Sequence, residues 1–167
     1  NYDEASFPSS VTAFTDLSIA EQVELAVPEI TTQLRAYPDG MIGCLAARHS
    51  ELDEVWEALK ATELSGISQR QTPGEYSAFD PERRVVVTTA HGAKGLEFRA
   101  AHLFGWDKII RHKRSHQRLA YTSVTRAKTS VAIYSSDPLP GYIERGLPAV
   151  TGDVTGPALL DDLFKKD

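Results

Sequence analysis

Val85-Val86-Val87-Thr88-Thr89-Ala90-His91-Gly92-Ala93-Lys94-Gly95-Leu96-Glu97-Phe98 is the stretch whose reading decides the fold. Its opening β-branched run suits a strand buried on both faces of a parallel sheet, and it gives way at once to polar residues and glycines. Gly92 and Gly95 let the backbone approach a ligand closely, and Lys94 between them is a mobile point charge. Glu97 can accept hydrogen bonds from hydroxyls. The combination suits the phosphates and ribose of a nucleotide.

Downstream, residues 118–128 read as a helix, with Leu119, Ala120, Val124 and Ala127 as its apolar stripe and Arg118, Arg126 and Lys128 on other faces. A strand follows at 131–134. A helix that delivers an arginine near the ligand end of a sheet can set a guanidinium against a phosphoryl group and stabilise charge developing there, and Arg126 is the candidate.

The rest of the chain alternates in the same way. Residues 11–15 predict a strand. Ser18 with Glu21 three positions later predicts a capping box opening a helix to about Ala36, with Pro28 as an interruption and a place for a kink. Pro38-Asp39-Gly40 predicts a turn and residues 41–47 a strand. Ser50 is the expected cap of a helix running to about Leu64, with Leu52, Val55, Trp56 and Leu59 on one face. A polar, turn-rich stretch leads from Gln69 to Arg83, and residues 100–104 form a further short strand. Helices alternating with short apolar strands predict an α/β fold with a parallel sheet, right-handed crossovers and ligands at the carboxyl ends of the strands, where Arg48, Thr89 and His91 fall. Beyond Ser135, proline and glycine mark irregular chain, with short helices expected at 141–147 and 158–166.

At these residues a family resemblance becomes specific. Residues 85–105 resemble motif V of superfamily-1 DNA helicases of the UvrD/Rep/PcrA type: a strand, Thr-x-His, then Ala-Lys-Gly-Leu-Glu-Phe and a second strand. Residues 118–128 resemble motif VI, an Arg-Leu, a Tyr three residues after that Arg, and a closing Thr-Arg-Ala. Met41 to Arg48 looks like motif IV. The resemblance spans roughly residues 11–135 and implies a RecA-like three-layer sandwich, the second motor domain of such an enzyme. It implies that Gly95 and Glu97 line ATP, with Glu97 on the ribose, and that Arg48 and Arg126 reach the γ-phosphate, Arg126 as an arginine finger. It further implies that Thr89 and His91 face single-stranded DNA, that Lys94 lies between the two sites, and that translocation runs 3′ to 5′.

Two departures accompany it. Ser115-His116-Gln117 stands where the family's motif VI is introduced by acidic residues. Only about 36 residues separate the motif IV and motif V regions, so the large duplex-contacting insertion of many relatives is absent. No Gly-x-x-x-x-Gly-Lys-[Ser/Thr] phosphate loop occurs in the sequence, so ATP hydrolysis is expected to need an N-terminal RecA-like domain that supplies this loop and most of the hold on Mg²⁺. The sequence opens at Asn1 rather than Met, which suits an excised domain.

At 167 residues the chain is long enough to bury a substantial core, and the expected organisation is one domain at 1–147 with a tail or linker at 148–167. Cys44, the single cysteine, lies in an apolar run and reads as a buried thiol, so a reducing, cytoplasmic setting is expected. There is no apolar span of membrane length.

The net charge of −5 hides a segregation. Residues 1–80 carry 14 acids and 4 bases, residues 81–128 carry 3 acids and 11 bases, and residues 129–167 carry 6 acids and 3 bases. The basic island coincides with both motifs and is the expected polyanion-facing part, with Arg111, Lys113 and Arg114 as DNA-contacting candidates. His112 and His116 are spaced for a metal pair but lack the companions of a site, so no metal centre is expected. Trp106 and Tyr121 are candidate stacking platforms for bases. A second reading, from a different class, is a standalone module that binds single-stranded DNA or a partner and hydrolyses nothing. A third is the helicase part of a helicase–nuclease.

Overall fold

The computed structural model describes residues 10–71, 79–108, 123–137 and 153–155. In chain order these form β1 (Ser10–Phe14), α1 (Ile19–Ala36), β2 (Ile42–Ala46), α2 (His49–Lys60), β3 (Ser68–Arg70), β4 (Val85–Thr89), β5 (Phe98–Phe104), β6 (Ala127–Tyr134) and β7 (Asp153–Thr155). Short 3₁₀ turns sit at Ser65–Ile67 and Trp106–Lys108.

Local chemistry explains the helix starts and stops. Ser18 and Glu21 form the expected capping box: the Glu21 amide donates to the Ser18 hydroxyl at 3.2 Å, and the Ser18 amide donates to the Glu21 carboxylate at 3.1 Å. Such caps contribute about 1 kcal/mol. α1 continues through Pro28 without a break in its assignment. Ser50 is not the cap of α2. Arg48 occupies that position in extended conformation, and the Ser50 hydroxyl donates instead to Glu51 Oε2 at 2.8 Å. α2 stops at Lys60, short of Leu64, because Thr62 folds back with both its amide and its hydroxyl on the Leu59 carbonyl.

The strands form one sheet in the order β3-β4-β2-β5-β6-β1-β7. All neighbours are parallel except β7, which runs antiparallel to β1 at the edge. β2 and β4 are buried at every residue, as their apolar runs demanded. Alternate residues then build two cores. On one face Val23, Ile30 and Leu34 of α1 and Leu52, Val55 and Leu59 of α2 pack on Ile42, Val85, Val87, Phe104 and Tyr134. On the other, Ala90, Ala93, Trp106 and Val124 cover Leu45, Val86, Ala101, Leu103 and Ile133. Ala90 and Ala93 of the first motif and Val124 of the second therefore cover the sheet face opposite α1 and α2.

β3 was not expected, because its residues are polar. It pairs with β4 through its backbone, and buried Gln69 ties the following loop to it by donating to the carbonyls of Asp80 and Arg83, each at 2.6 Å. The motif VI helix also ends earlier than its periodicity suggested. Ser123 and Val124 are helical, but Ala127 already pairs with Phe98 in the sheet, so Lys128 is a strand residue. Trp56 is only partly buried against the α1/α2 core, with the Lys60 ammonium 6.0 Å from its ring.

Candidate nucleotide and nucleic-acid interface

The parallel register sorts the candidate residues to two ends of the sheet. At the carboxyl edge Ala46 pairs with Thr89 and with Phe104. Arg48 and His91 each lie two residues past the ends of the paired strands β2 and β4, and the Ala90 amide donates to the Ala46 carbonyl at 2.9 Å. His91 is exposed, whereas Thr89 is buried and its hydroxyl accepts from the Gly92 amide at 3.0 Å, which fixes the first turn of the loop. At the amino edge Phe98 pairs with Ala127, and its amide donates to the Arg126 carbonyl at 2.8 Å.

The loop from Ala90 to Glu97 is the link between these edges. It leaves β4 at the carboxyl end and must return along the sheet to start β5 at the amino end, and Ala90 and Ala93 pack into the core as it crosses. Gly95 turns it with φ +88, a conformation that favours glycine. Lys94 is exposed part-way along. Thr89 and His91 thus sit at one end of the motif and Gly95 and Glu97 at the other.

At the amino edge the Glu97 carboxylate is exposed and lies 3.3 Å from the Lys128 ammonium. Both line an open cleft of about 460 Å³ together with Tyr37, Asp39, Gly40 and Arg99. The Arg99 guanidinium stacks 4.8 Å over the Tyr37 ring. Arg126 is half-buried, and its Nε is a buried donor with no hydrogen-bond partner among the described residues. A buried donor left unmade costs on the order of 1–3 kcal/mol, so it marks a place where an acceptor is wanted.

The structure does not bring Arg48 and Arg126 together. The seven residues of β5, Phe98 to Phe104, separate their levels, which is roughly 20 Å of strand. The two arginines expected on one γ-phosphate thus follow and precede strands at opposite edges of the sheet. Arg48, Thr89 and His91 lie at the carboxyl ends of the strands as expected, whereas Glu97 and its cleft lie at the amino edge. Trp106 is corrected outright: it is fully buried in the core under the motifs, so it offers no platform to a base. Arg111, Lys113, Arg114, His112, His116 and Tyr121 lie outside the described residues.

Sequence reasoning missed Glu51, Gly105 and Lys128. The Arg48 guanidinium donates through Nε to Glu51 Oε2 at 3.1 Å and through Nη2 to Glu51 Oε1 at 2.6 Å. Burial pushes the Glu51 carboxyl up, but the hydrogen bonds from Arg48 and Ser50 outweigh it and hold the group below the usual glutamate range. The signal was present as an i, i+3 Arg/Glu pair at a helix start. Among the described residues no cluster of His, Cys, Asp or Glu is placed to hold a metal, and no helix is long and apolar enough to cross a membrane.

Residues 84–134, which carry both motifs, match the family described as the UvrD-like helicase C-terminal domain. That is the family the motifs resemble. The matched segment includes β4, the crossing loop, β5 and β6. Comparison with curated proteins finds no match. Among solved structures, the C-terminal domain of a possible DNA helicase from Lactobacillus plantarum WCFS1 matches with a TM-score of 0.58 at 21% identity, covering 81% of this chain and 77% of that one. This likeness shows a shared RecA-like α/β fold. The helicase domain of Hef from Pyrococcus furiosus gives a TM-score of 0.46 at 14% identity over 71% of this chain and 26% of that one.

Proposed function

We propose that the chain is the C-terminal motor domain of an ATP-dependent DNA helicase or translocase and works against an N-terminal RecA-like domain carrying the phosphate loop. The amino edge serves the nucleotide. Glu97 accepts from the ribose hydroxyls, Gly95 lets the backbone close on the nucleotide, Lys94 lies nearby, and Arg126 is the finger for the γ-phosphate. The carboxyl edge, with Thr89 setting the loop and His91 exposed, serves single-stranded DNA, joined by the basic residues Arg111, Lys113 and Arg114. Mg²⁺ would be held mainly by the N-terminal domain, and bound to ATP it neutralises charge on the transferred phosphoryl group. The chain's own part is to position the nucleotide, supply a guanidinium at closure, and pass movement along the Ala90–Glu97 loop to the DNA edge.

The observation that carries this reading is the tie between Glu97 and Arg126. The two motif residues immediately precede adjacent strands, joined by the Phe98 amide on the Arg126 carbonyl, and the buried Nε of Arg126 has no hydrogen-bond partner among the described residues. DNA-stimulated ATP hydrolysis by the intact protein tests it. Arg126→Ala is expected to lower kcat by about 10³ with little change in KM. Unchanged hydrolysis would overturn the finger assignment.

A further inference from the structure

The turn from Tyr37 to Gly40, which walls the amino-edge cleft, is clamped from behind. The Arg84 guanidinium donates to the carbonyls of Tyr37 at 2.8 Å, Gly40 at 3.2 Å and Leu34 at 3.1 Å, and the Gly40 amide donates to the Tyr37 carbonyl at 2.9 Å. The Arg99 amide donates to the Met41 carbonyl at 2.8 Å, which sets the Arg99 side chain beside the turn. Gly40 leaves room for it: a Cβ there would sit 2.9 Å from the Arg99 Cβ and 3.1 Å from the Tyr37 Cβ. The ladder also shifts register at this point, with Lys128 and Thr129 of β6 against Arg99 alone, and irregularities of this kind re-aim side chains beside binding sites. Arg99 is exposed, and its guanidinium lies 4.8 Å over the half-buried Tyr37 ring with no hydrogen bond or ion pair to a described residue. A guanidinium stacked through one face keeps the other for a second planar group.

We infer that Tyr37 and Arg99 form a base platform, on which the base of a purine nucleotide lies against the outer face of Arg99 with Tyr37 beneath. The inference rests on the reading of the amino edge as the nucleotide side, and the resemblance gives neither residue a role. Glu97 lines the same cleft of about 460 Å³, so a nucleoside whose ribose meets Glu97 extends its base along the cleft toward the stack. Stacking reads a base by its face and area rather than by its hydrogen-bonding edge. The cleft therefore takes GTP as well as ATP and holds the smaller pyrimidines less well, where the resemblance implies ATP alone.

Amide chemical shifts of the full chain, followed by NMR as ligand is added, test this even where binding is weak. The probes are ATP, GTP, UTP and ribose triphosphate, which lacks the base. ATP and GTP are expected to bind within about threefold of each other and about tenfold tighter than ribose triphosphate, the order of one stacked base. Tyr37→Ala and Arg99→Ala should each lose most of that advantage, and so should Arg99→Lys, which keeps the charge but not the plane. Full purine affinity in Arg99→Lys, or equal weakening of ATP and ribose triphosphate by Arg99→Ala, would make Arg99 a phosphate counter-charge and overturn the platform. ATP bound more than about tenfold tighter than GTP would overturn it too, since a stack alone does not separate the purines that far. Purine nucleotides bound no tighter than ribose triphosphate would remove the platform and leave the role of Glu97 standing. No shift with any of the four would overturn the nucleotide reading of the amino edge itself.

Discussion

The Phe98 amide donates to the Arg126 carbonyl at 2.8 Å, so the backbone that carries Glu97 and the backbone that carries Arg126 enter the sheet as one unit. A ligand touching both side chains would find them with fixed spacing at their roots. Glu97 hydrogen-bonds a ribose equally in ground and transition states under this reading, so its removal weakens binding rather than chemistry. Glu97→Gln in the intact protein is expected to raise KM for ATP about tenfold and leave kcat within about twofold, in contrast to Arg126→Ala. Steady-state hydrolysis measures it, and an unchanged KM would remove Glu97 from the site. Lys128→Ala breaks only an exposed pair and should cost less than about 1 kcal/mol of stability.

Gly105 adopts φ +64, and a Cβ there would meet the Glu51 Cγ at 2.9 Å. Gly105→Ala therefore combines backbone strain with a clash against a packed side chain, for an expected loss of about 1–3 kcal/mol. Gly66→Ala is the control, since its Cβ would meet nothing within 4 Å and its φ is not positive. It should be neutral or slightly stabilising. Urea unfolding of the two variants decides the matter: equal midpoints would mean that the Gly105 turn carries no constraint.

Thr89 is the acceptor that starts the crossing loop. Its hydroxyl receives the Gly92 amide at 3.0 Å, and the Ala93 amide reaches the Thr89 carbonyl at 3.0 Å. Thr89→Val keeps the buried shape and deletes the acceptor, at an expected cost of about 1 kcal/mol. Faster amide hydrogen exchange at Gly92 is the specific mark, and Thr89→Ser should restore protection. Exchange at Gly92 that does not respond to either change would show that the turn is held by its backbone alone.

How much of this was legible in the chain varies with the kind of signal. The sheet strands buried on both faces, 42–46 and 85–89, announce themselves because burial on two sides selects a mostly apolar, β-branched run. β3 did not, because an edge strand held by backbone pairing and a buried Gln69 has no apolar pattern to show. The motif residues were legible one by one through their chemistry. Their division between two ends of the sheet was not, since it follows from which strands are neighbours. Chain order places β4 next to β5, but β2 lies between them, and only that arrangement makes the Ala90–Glu97 loop a crossover. Trp106 misled for a related reason: an aromatic after a strand can face a base or the core, and the packing of Ala101, Leu103 and Val124 around it decided for the core.

Beneath α1 lies a buried polar network whose pH response can be derived. The His102 ring is fully buried, with Nε2 2.9 Å from Gln33 Oε1 and Nδ1 2.8 Å from the Tyr134 hydroxyl. Gln33 Oε1 can only accept, so a neutral imidazole protonated at Nε2 and accepting at Nδ1 from Tyr134 satisfies every partner. Burial pushes the imidazole down from 6.5 to about 3. In the unfolded chain His102 takes up a proton near 6.5, while in the folded chain it stays neutral down to about 3, so between these values the unfolded state binds more protons. Stability is therefore full above about pH 6.5 and falls as the pH drops through that window. The contribution from this one residue between pH 6.5 and 5 is about 2 kcal/mol. Urea unfolding at pH 7, 6 and 5 should show that excess loss in the unaltered chain relative to His102→Gln, whatever the absolute stability of the variant. Parallel curves would mean that His102 already titrates near its ordinary value and that the network opens to water before the chain unfolds.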